Sequence, residues 1–350
     1  MRIQYFVGPV TQRHTGGEIY HAELMRFLAR ENEVTNENGV VEAGRGSVFS
    51  ANRWCWQRMC QYRAEVIIED CYYAACLCLS NWLAKIWRPR IIAFVQEVPE
   101  TCVRWPRIQR AKQWVINALF LRSASLVVAN SDYIRRQLLK RHPLPADRVR
   151  VLPPAGQSFP GKLVQEKCSN VARLLSVANI QPKKGQRVLV EALHLLDWRD
   201  WNLTLVGGMK DPAYYQELLA LIAQYGFQQH IRVTGFLEGD HLAAQYQTAD
   251  IFVHAALEEP YGMVVAEAMQ WGLPIIASRT GGIPEVIGGE RNALLVPPGD
   301  PGALAEALHR LIADPQLRTE MGQRAKRRAV ELPTWDEVCE RFYRMLLALA

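Results

Sequence analysis

The chain has 350 residues, 49% apolar and 22% charged, the balance of a globular protein long enough for two domains. No apolar run approaches the roughly 18 residues of a membrane span, and the apolar stretch at the N-terminus is too short for a signal peptide, so neither is expected. The net charge of +6 is unevenly divided: residues 1–160 hold 22 Lys/Arg against 13 Asp/Glu (+9), the remainder 19 against 22 (−3), so an anionic partner is expected at the N-terminal half.

Residues 2–7 read as a first strand, and Gly16-Gly17 then opens a helix carrying Ile19, Leu24 and Phe27. Paired glycines at a helix N-terminus let the backbone approach a phosphate. His21, on that helix, reads as a surface or core residue rather than a base. Strand 66–69 runs into Glu69-Asp70. Cys71, Cys76 and Cys78 follow in apolar surroundings with no nearby His and no C-x-x-C pair, so the cysteines read as buried and reduced, which suits a cytoplasmic protein. Strand 91–95 leads to Gln96-Glu97-Val98-Pro99-Glu100, where Glu97 is the first candidate to orient or deprotonate an acceptor hydroxyl and Glu69-Asp70 the second.

Pro106 to Arg122 reads as a helix with Arg107, Arg110, Lys112 and Arg122, preceded by Trp105 and carrying Ile108, Trp114, Val115, Leu119 and Phe120. With Trp82, Trp87, Arg88 and Arg90 it forms a basic, aromatic region that suits either domain packing or peripheral contact with the anionic inner face of a membrane. Nucleic acid is the weakest of the anionic partners, since no nucleic-acid motif is present and the cations do not interleave with a β-surface of aromatics. Strands 126–129 and 149–152 complete the first half, and Pro153 to Gly161 reads as an interdomain linker.

The second half repeats the alternation, with strands at 172–177, 203–206, 231–233, 250–254, 274–277 and 293–296 between helical stretches. Such alternation predicts α/β architecture with parallel sheets, and ligands at the carboxyl ends of the strands. Four candidate stretches lie at such ends. Ser176 to Gly185 runs from strand through Pro182 into a helix and carries Asn179, Lys183 and Lys184. Leu205-Val206-Gly207-Gly208 and Val233-Thr234-Gly235-Phe236-Leu237 are strand ends followed by glycine. In Glu259-Pro260-Tyr261-Gly262-Met263-Val264-Val265-Ala266-Glu267, two carboxylates stand eight positions apart, and the helix from Met263 stops at Gly272-Leu273-Pro274. Its N-terminal N–H groups, from Gly262 to Val264, are available to an anion. Asp250, in Thr248-Ala249-Asp250, reads as a helix cap.

The Glu259 to Glu267 string resembles the E-x7-E signature of retaining family-4 glycosyltransferases, and Thr280-Gly281-Gly282-Ile283-Pro284-Glu285 resembles that family's G-G-x-P-E turn, read as structural. Lys184 and Gly185 match its Lys-Gly pair, but Asn179 stands where the family has Arg, so either Lys184 carries more of the diphosphate charge or another Arg reaches in. The resemblance is strong over about 170–330 and loose before it. It implies a GT-B fold of two doubly wound Rossmann-like domains facing a cleft: 1–155 on the acceptor side, with the helix 335–350 packing back on it, and 165–333 binding the donor. It implies a metal-independent, cofactor-free hexosyltransferase that uses a nucleotide sugar (a UDP- or GDP-sugar first) as substrate and an unidentified hydroxyl acceptor. By the same resemblance Lys184 stabilises the leaving phosphate, Glu259 contacts the transferred sugar, and Glu267 binds the donor ribose. Gly16, Gly17, Asn179, Gly235, Phe236, Leu237, Gly262, Met263 and Val264 complete the donor site. The alternative is a GT-B-shaped epimerase or binding protein without transfer, for which Asn179 is the sequence support.

Overall fold

The computed structural model describes residues 1–7, 15–30, 32–37, 48–98, 106–156 and 171–349. They form two compact units, Met1–Pro154 with Trp335–Ala350, and Ala155–Thr334. Trp105, Pro99, Glu100 and residues 157–161 of the expected linker lie outside the described residues.

The first unit holds a six-stranded parallel sheet in the order β2-β1-β3-β4-β5-β6. Its strands are β1 (Arg2–Phe6), β2 (Glu33–Asn36), β3 (Val66–Asp70), β4 (Arg90–Val95), β5 (Leu126–Ala129) and β6 (Val149–Val151). Central strands covered on both faces read as continuous apolar runs, as β4 and β5 do. The sequence gives no such signal for β2, whose residues Glu-Val-Thr-Asn form the sheet edge in register with Arg2 to Tyr5. An edge strand is half-solvated and needs no apolar run.

One face of this sheet packs against α2 (Val48–Tyr62), α3 (Ala74–Ala84) and α4 (Arg107–Ser123) through Phe6, Met59, Leu77, Phe120 and Leu121. On the other face lie α1 (Gly16–Leu28) and α13 (Trp335–Ala348), which bury Val338, Cys339, Phe342 and Leu346. Phe342 meets Phe94 edge-on at 5.2 Å, and Trp335 lies 5.9 Å from Tyr20. Helix α5 (Asp132–Arg141) precedes β6.

The second unit has strands β7 (Ala172–Val177), β8 (Trp201–Val206), β9 (Ile231–Gly235), β10 (Ile251–His254), β11 (Ile275–Ser278) and β12 (Leu294–Val296). All pair in parallel, in the order β9-β8-β7-β10-β11-β12. Counted within the unit this is 3-2-1-4-5-6, the doubly wound order whose direction reverses between β7 and β10. One face carries α6 (Gln186–His194), α7 (Pro212–Gln224) and α11 (Pro301–Ala313) over Trp201, Leu203 and Phe227. The other carries α8 (Gly239–Thr248), α9 (Met263–Gln270) and α12 (Pro315–Val330) over Phe252, Val265, Met269 and Ile275. The short helix α10 (Ile283–Ile287) follows β11.

Asp250 is not a helix cap. Helix α8 ends at Thr248 with Ala249 as its C-cap, and the Asp250 carboxylate is engaged elsewhere. Arg173 donates to Asp250 from Nε at 3.0 Å, from a terminal nitrogen at 3.2 Å and from its backbone N–H at 2.9 Å. The pair ties the starts of β7 and β10 together at the strand reversal, a long-range partner that local sequence cannot reveal.

Candidate active site

The carboxyl ends of β7 and β10 flank the point where the second sheet reverses, and both lead into polar turns. After β7 a tight 3-10 turn, Pro182–Lys184, is closed by Gly185 at φ 67°. After β10 the chain runs from Ala255 to Gly262, which caps α9. Lys184 Nζ donates to Glu259 Oε2 at 2.7 Å, and His254 Nε2 lies 2.7 Å from the same oxygen. His254 is buried, and its Nδ1 has no hydrogen-bond partner among the described residues. Burial opposes ionisation of Glu259, but the Lys184 charge and the His254 hydrogen bond outweigh it and hold the carboxyl well below the usual carboxylate range. Glu259 is therefore an anion at neutral pH, with His254 the hydrogen-bond donor. His254 is not legible as a site residue in the sequence, where its one signal is an imidazole closing an otherwise apolar strand.

Turns on both sides fix the Glu259 loop. Leu257 N–H donates to the Lys183 carbonyl at 2.9 Å, Thr280 Oγ1 to the Leu257 carbonyl at 3.0 Å, and Gly282 N–H to the Glu259 carbonyl at 3.0 Å. A Cβ on Gly185 would overlap the Ala255 carbonyl, and one on Gly281 the Glu259 carbonyl. Gly281, in the turn that follows β11, is therefore part of the mould that shapes the loop.

Glu267 has a separate partner. It is buried on α9, where the Tyr246 hydroxyl donates to its Oε2 at 2.8 Å. Burial and the neighbouring carboxylate push the Tyr246 phenol well up. At the start of α9, Met263 and Val264 occupy the first two helical positions, where N–H groups have no intrahelical acceptor.

Asn179 and Phe236 both border Gly208: a Cβ there would lie 3.4 Å from Asn179 Oδ1 and 4.0 Å from Phe236 Cβ. The Asn179 carbonyl accepts from Gln186 Nε2 at 2.9 Å. Beyond Gly235 the Phe236 side chain is 37% exposed, whereas Leu237 packs on the core beneath α8 and α9. Gly207 has a packing role, because a Cβ on it would overlap the Ala178 carbonyl.

Gly16, Gly17 and Glu97 lie in the first unit. Thr15 caps α1 in a reciprocal box, its hydroxyl accepting from Glu18 N–H and its own N–H donating to the Glu18 carboxylate at 2.8 Å. A Cβ on Gly17 would collide with the Gln96 side-chain amide. Gln96 Nε2 donates to Asp70 Oδ2 at 2.8 Å, His21 Nε2 lies 3.0 Å from that oxygen, and Tyr72 N–H donates to Oδ1 at 2.8 Å. Burial pushes the Asp70 carboxyl up, but His21, Tyr72 and Gln96 together bring it below its ordinary value. His21 is thus a buried partner of Asp70. The Glu97 side chain is exposed, and its carbonyl lies 3.6 Å from Cys71 Sγ.

Glu69 points to the opposite face from Asp70, as alternate strand residues must. It is fully buried, accepts from Asn81 Nδ2 at 2.7 Å, and has no partner for Oε1 among the described residues. Burial raises its pKa from 4.5 to about 8, offset only in part by Asn81. An acid with a raised folded-state pKa is protonated in the fold before it is in the unfolded chain. Its contribution is most favourable below 4.5 and declines as pH rises through the window to about 8. Glu69→Gln should flatten this decline, so that urea unfolding gives the variant a gain over wild type of roughly 2–4 kcal/mol at alkaline pH relative to mildly acidic pH. Parallel stability curves for the two proteins would show that Glu69 stays ionised in the fold.

The models for "Glycosyl transferase 4-like domain" and "Glycosyl transferases group 1" match residues 39–155 and 164–328. The chain belongs to the family-4-like GT-B glycosyltransferases. D-inositol 3-phosphate glycosyltransferase from Jonesia denitrificans is 31% identical to this glycosyltransferase-family chain over 231 residues, 61% of the chain and 54% of the relative. MMP alpha-(1->4)-mannosyltransferase from Mycolicibacterium hassiacum is 28% identical over 251 residues, 69% of the chain and 60% of the relative. The aligned part of the chain thus spans little more than half the length of these relatives. Among solved structures, sucrose-phosphate synthase from Thermosynechococcus elongatus superposes with a TM-score of 0.83 at 21% identity over 100% of both chains. Anabaena Alr3699/HepE in complex with UDP-glucose superposes with a TM-score of 0.81 at 18% identity over 99% of this chain and 100% of that one. At such identities the likeness concerns the GT-B fold.

Proposed function

We propose that the protein is a retaining, metal-independent hexosyltransferase that moves a sugar from a nucleoside diphosphate, UDP or GDP first, to a hydroxyl acceptor. The observation that carries this reading is the Lys184–Glu259–His254 cluster at the strand reversal of the second sheet, beside the N-terminus of α9. Departure of the diphosphate builds negative charge on its β-phosphate and positive charge at the anomeric carbon. Lys184 and the N–H groups of Gly262, Met263 and Val264 act on the phosphate; Glu259, kept anionic, accepts from a sugar hydroxyl. A glycosidase-like use of the two carboxylates as acid and nucleophile would need one of them protonated. The depressed pKa of Glu259 and the separate Tyr246 partner of Glu267 argue for hydroxyl ligands instead. Gly16 and Gly17 would approach the donor phosphate, Asn179, Gly235, Phe236 and Leu237 would border the nucleotide, and Glu97 would orient the acceptor. The UDP-glucose complex of Anabaena Alr3699/HepE supports a UDP-hexose as the first donor to try.

Incubation with a panel of nucleotide sugars, read out as nucleoside diphosphate release and sugar stereochemistry, tests this reading. Release from one donor with retention is the expected result. Binding without turnover across the panel would favour the non-transferring alternative, for which Asn179 in place of the family's Arg is the support. Glu267→Ala should raise donor KM by about 10-fold with little change in kcat, because ribose hydroxyl bonds exist equally in ground and transition states. A lost kcat with unchanged KM would reassign Glu267 to the chemical step.

A further inference from the structure

Helices α3 and α4 of the first unit each have two apolar faces. The inner faces are spent on the core: Leu77 and Ala84 on α3, Ala118, Phe120 and Leu121 on α4 are all buried. The outer faces are not. Leu79, Trp82, Leu83 and Ile86, along α3 and the turn after it, and Val115 and Leu119 on α4 are each between 39% and 78% exposed. Their spacing, i, i+3, i+4, i+7 on the first element and i, i+4 on the second, makes each set a single stripe. The stripes adjoin, since Trp82 Nε1 donates to the Leu119 carbonyl at 3.4 Å.

Charge decides what covers this surface. Residues 71–96 contain Lys85, Arg88 and Arg90, residues 106–131 contain Arg107, Arg110, Lys112 and Arg122, and neither stretch contains an Asp or Glu. Lys85 Nζ sits 3.9 Å from the Trp82 ring centroid, so cation and aromatic lie at one level of the surface. A second copy applying the same face would set cations against cations. We propose that the outer surface of α3 and α4 docks on an anionic lipid bilayer, with the aliphatic groups and Trp82 in the interface and the cations among the headgroups.

The sequence pointed to part of this surface, and the structure redraws it. Trp114 turns away, its Nε1 donating to the Arg141 carbonyl at 3.0 Å and its ring stacking on His142. Phe120 is in the core, and Trp87 packs against Trp56 at 5.3 Å. Leu79, Leu83 and Ile86 take their place.

Co-sedimentation of the full chain with vesicles tests the proposal, independently of any donor chemistry. Vesicles of equal parts phosphatidylglycerol and phosphatidylcholine should bind the protein at low salt, pure phosphatidylcholine should not, and high salt should release it. The exposed-residue variants Lys85→Glu/Arg88→Glu/Lys112→Glu and Leu83→Ser/Leu119→Ser should each weaken partitioning at least about 10-fold while unfolding at the wild-type temperature. Absence of wild-type binding at low salt would overturn the proposal, as would binding that ignores headgroup charge or is unchanged in the charge-reversed variant. Concentration-dependent self-association abolished by Leu83→Ser/Leu119→Ser would also overturn it, assigning the face to a protein contact. The vesicle and salt comparisons stand on the unaltered chain, so a variant that fails to fold does not remove the test.

Discussion

Lys184→Ala is expected to lower kcat for sugar transfer by about 10²-fold or more, because it deletes the positive charge aimed at the developing phosphate anion. The same change takes from Glu259 the cation that most depresses its pKa. The carboxyl should then titrate closer to the ordinary range, still held down by His254, and the acid limb of the pH–rate profile should move to higher pH. In terms of stability, an acid with a depressed folded-state pKa contributes above its unfolded value of 4.5 and loses that contribution as pH falls below it. Wild type should therefore lose more stability than the variant on acidification. Initial rates across pH, with folding verified by near-UV circular dichroism, measure both effects, and Lys184→Arg should recover part of the rate. An unchanged rate in Lys184→Ala would mean that Asn179 marks a rearranged phosphate site.

Gly281→Ala is the second large effect, and it acts from outside the cluster of charged groups. Gly281 sits at φ 56°, in the left-handed region, with the Glu259 carbonyl where a Cβ would go. The obstacle is backbone, which cannot swing aside as a flexible side chain does, and an alanine here also carries the strain of positive φ. The Glu259 loop must shift, loosening the Gly282 N–H bond to the Glu259 carbonyl and the aim of the carboxylate at Lys184 and His254. We expect transfer to fall by about 10²-fold and stability by roughly 2–3 kcal/mol, from thermal melts alongside rates. Wild-type activity in this variant would show that the loop's position does not govern the chemistry.

Much of this protein is legible one stretch at a time. Parallel strands buried on both faces must be apolar along their length, so the runs at 91–95 and 126–129 declare themselves, and glycine with proline marks where α9 stops. The spacing of Glu259 and Glu267, with Lys184-Gly185, is local enough to carry the family. Partners brought from elsewhere in the chain are not legible in this way. The edge strand Glu33–Asn36 has no apolar signature because one side of it meets water. Asp250 finds Arg173 because parallel pairing sets the start of β10 beside that of β7. His254 meets Glu259 only through the fold of the intervening loop, and strand pleat with the reach of His21 and Gln96 makes Asp70 the acid that these two side chains join. Composition along α3 and α4 records apolar residues and cations. Which of them face outward is fixed by how the two helices turn against the sheet, because a helix lying on the outer face of a sheet buries the side it turns toward that sheet.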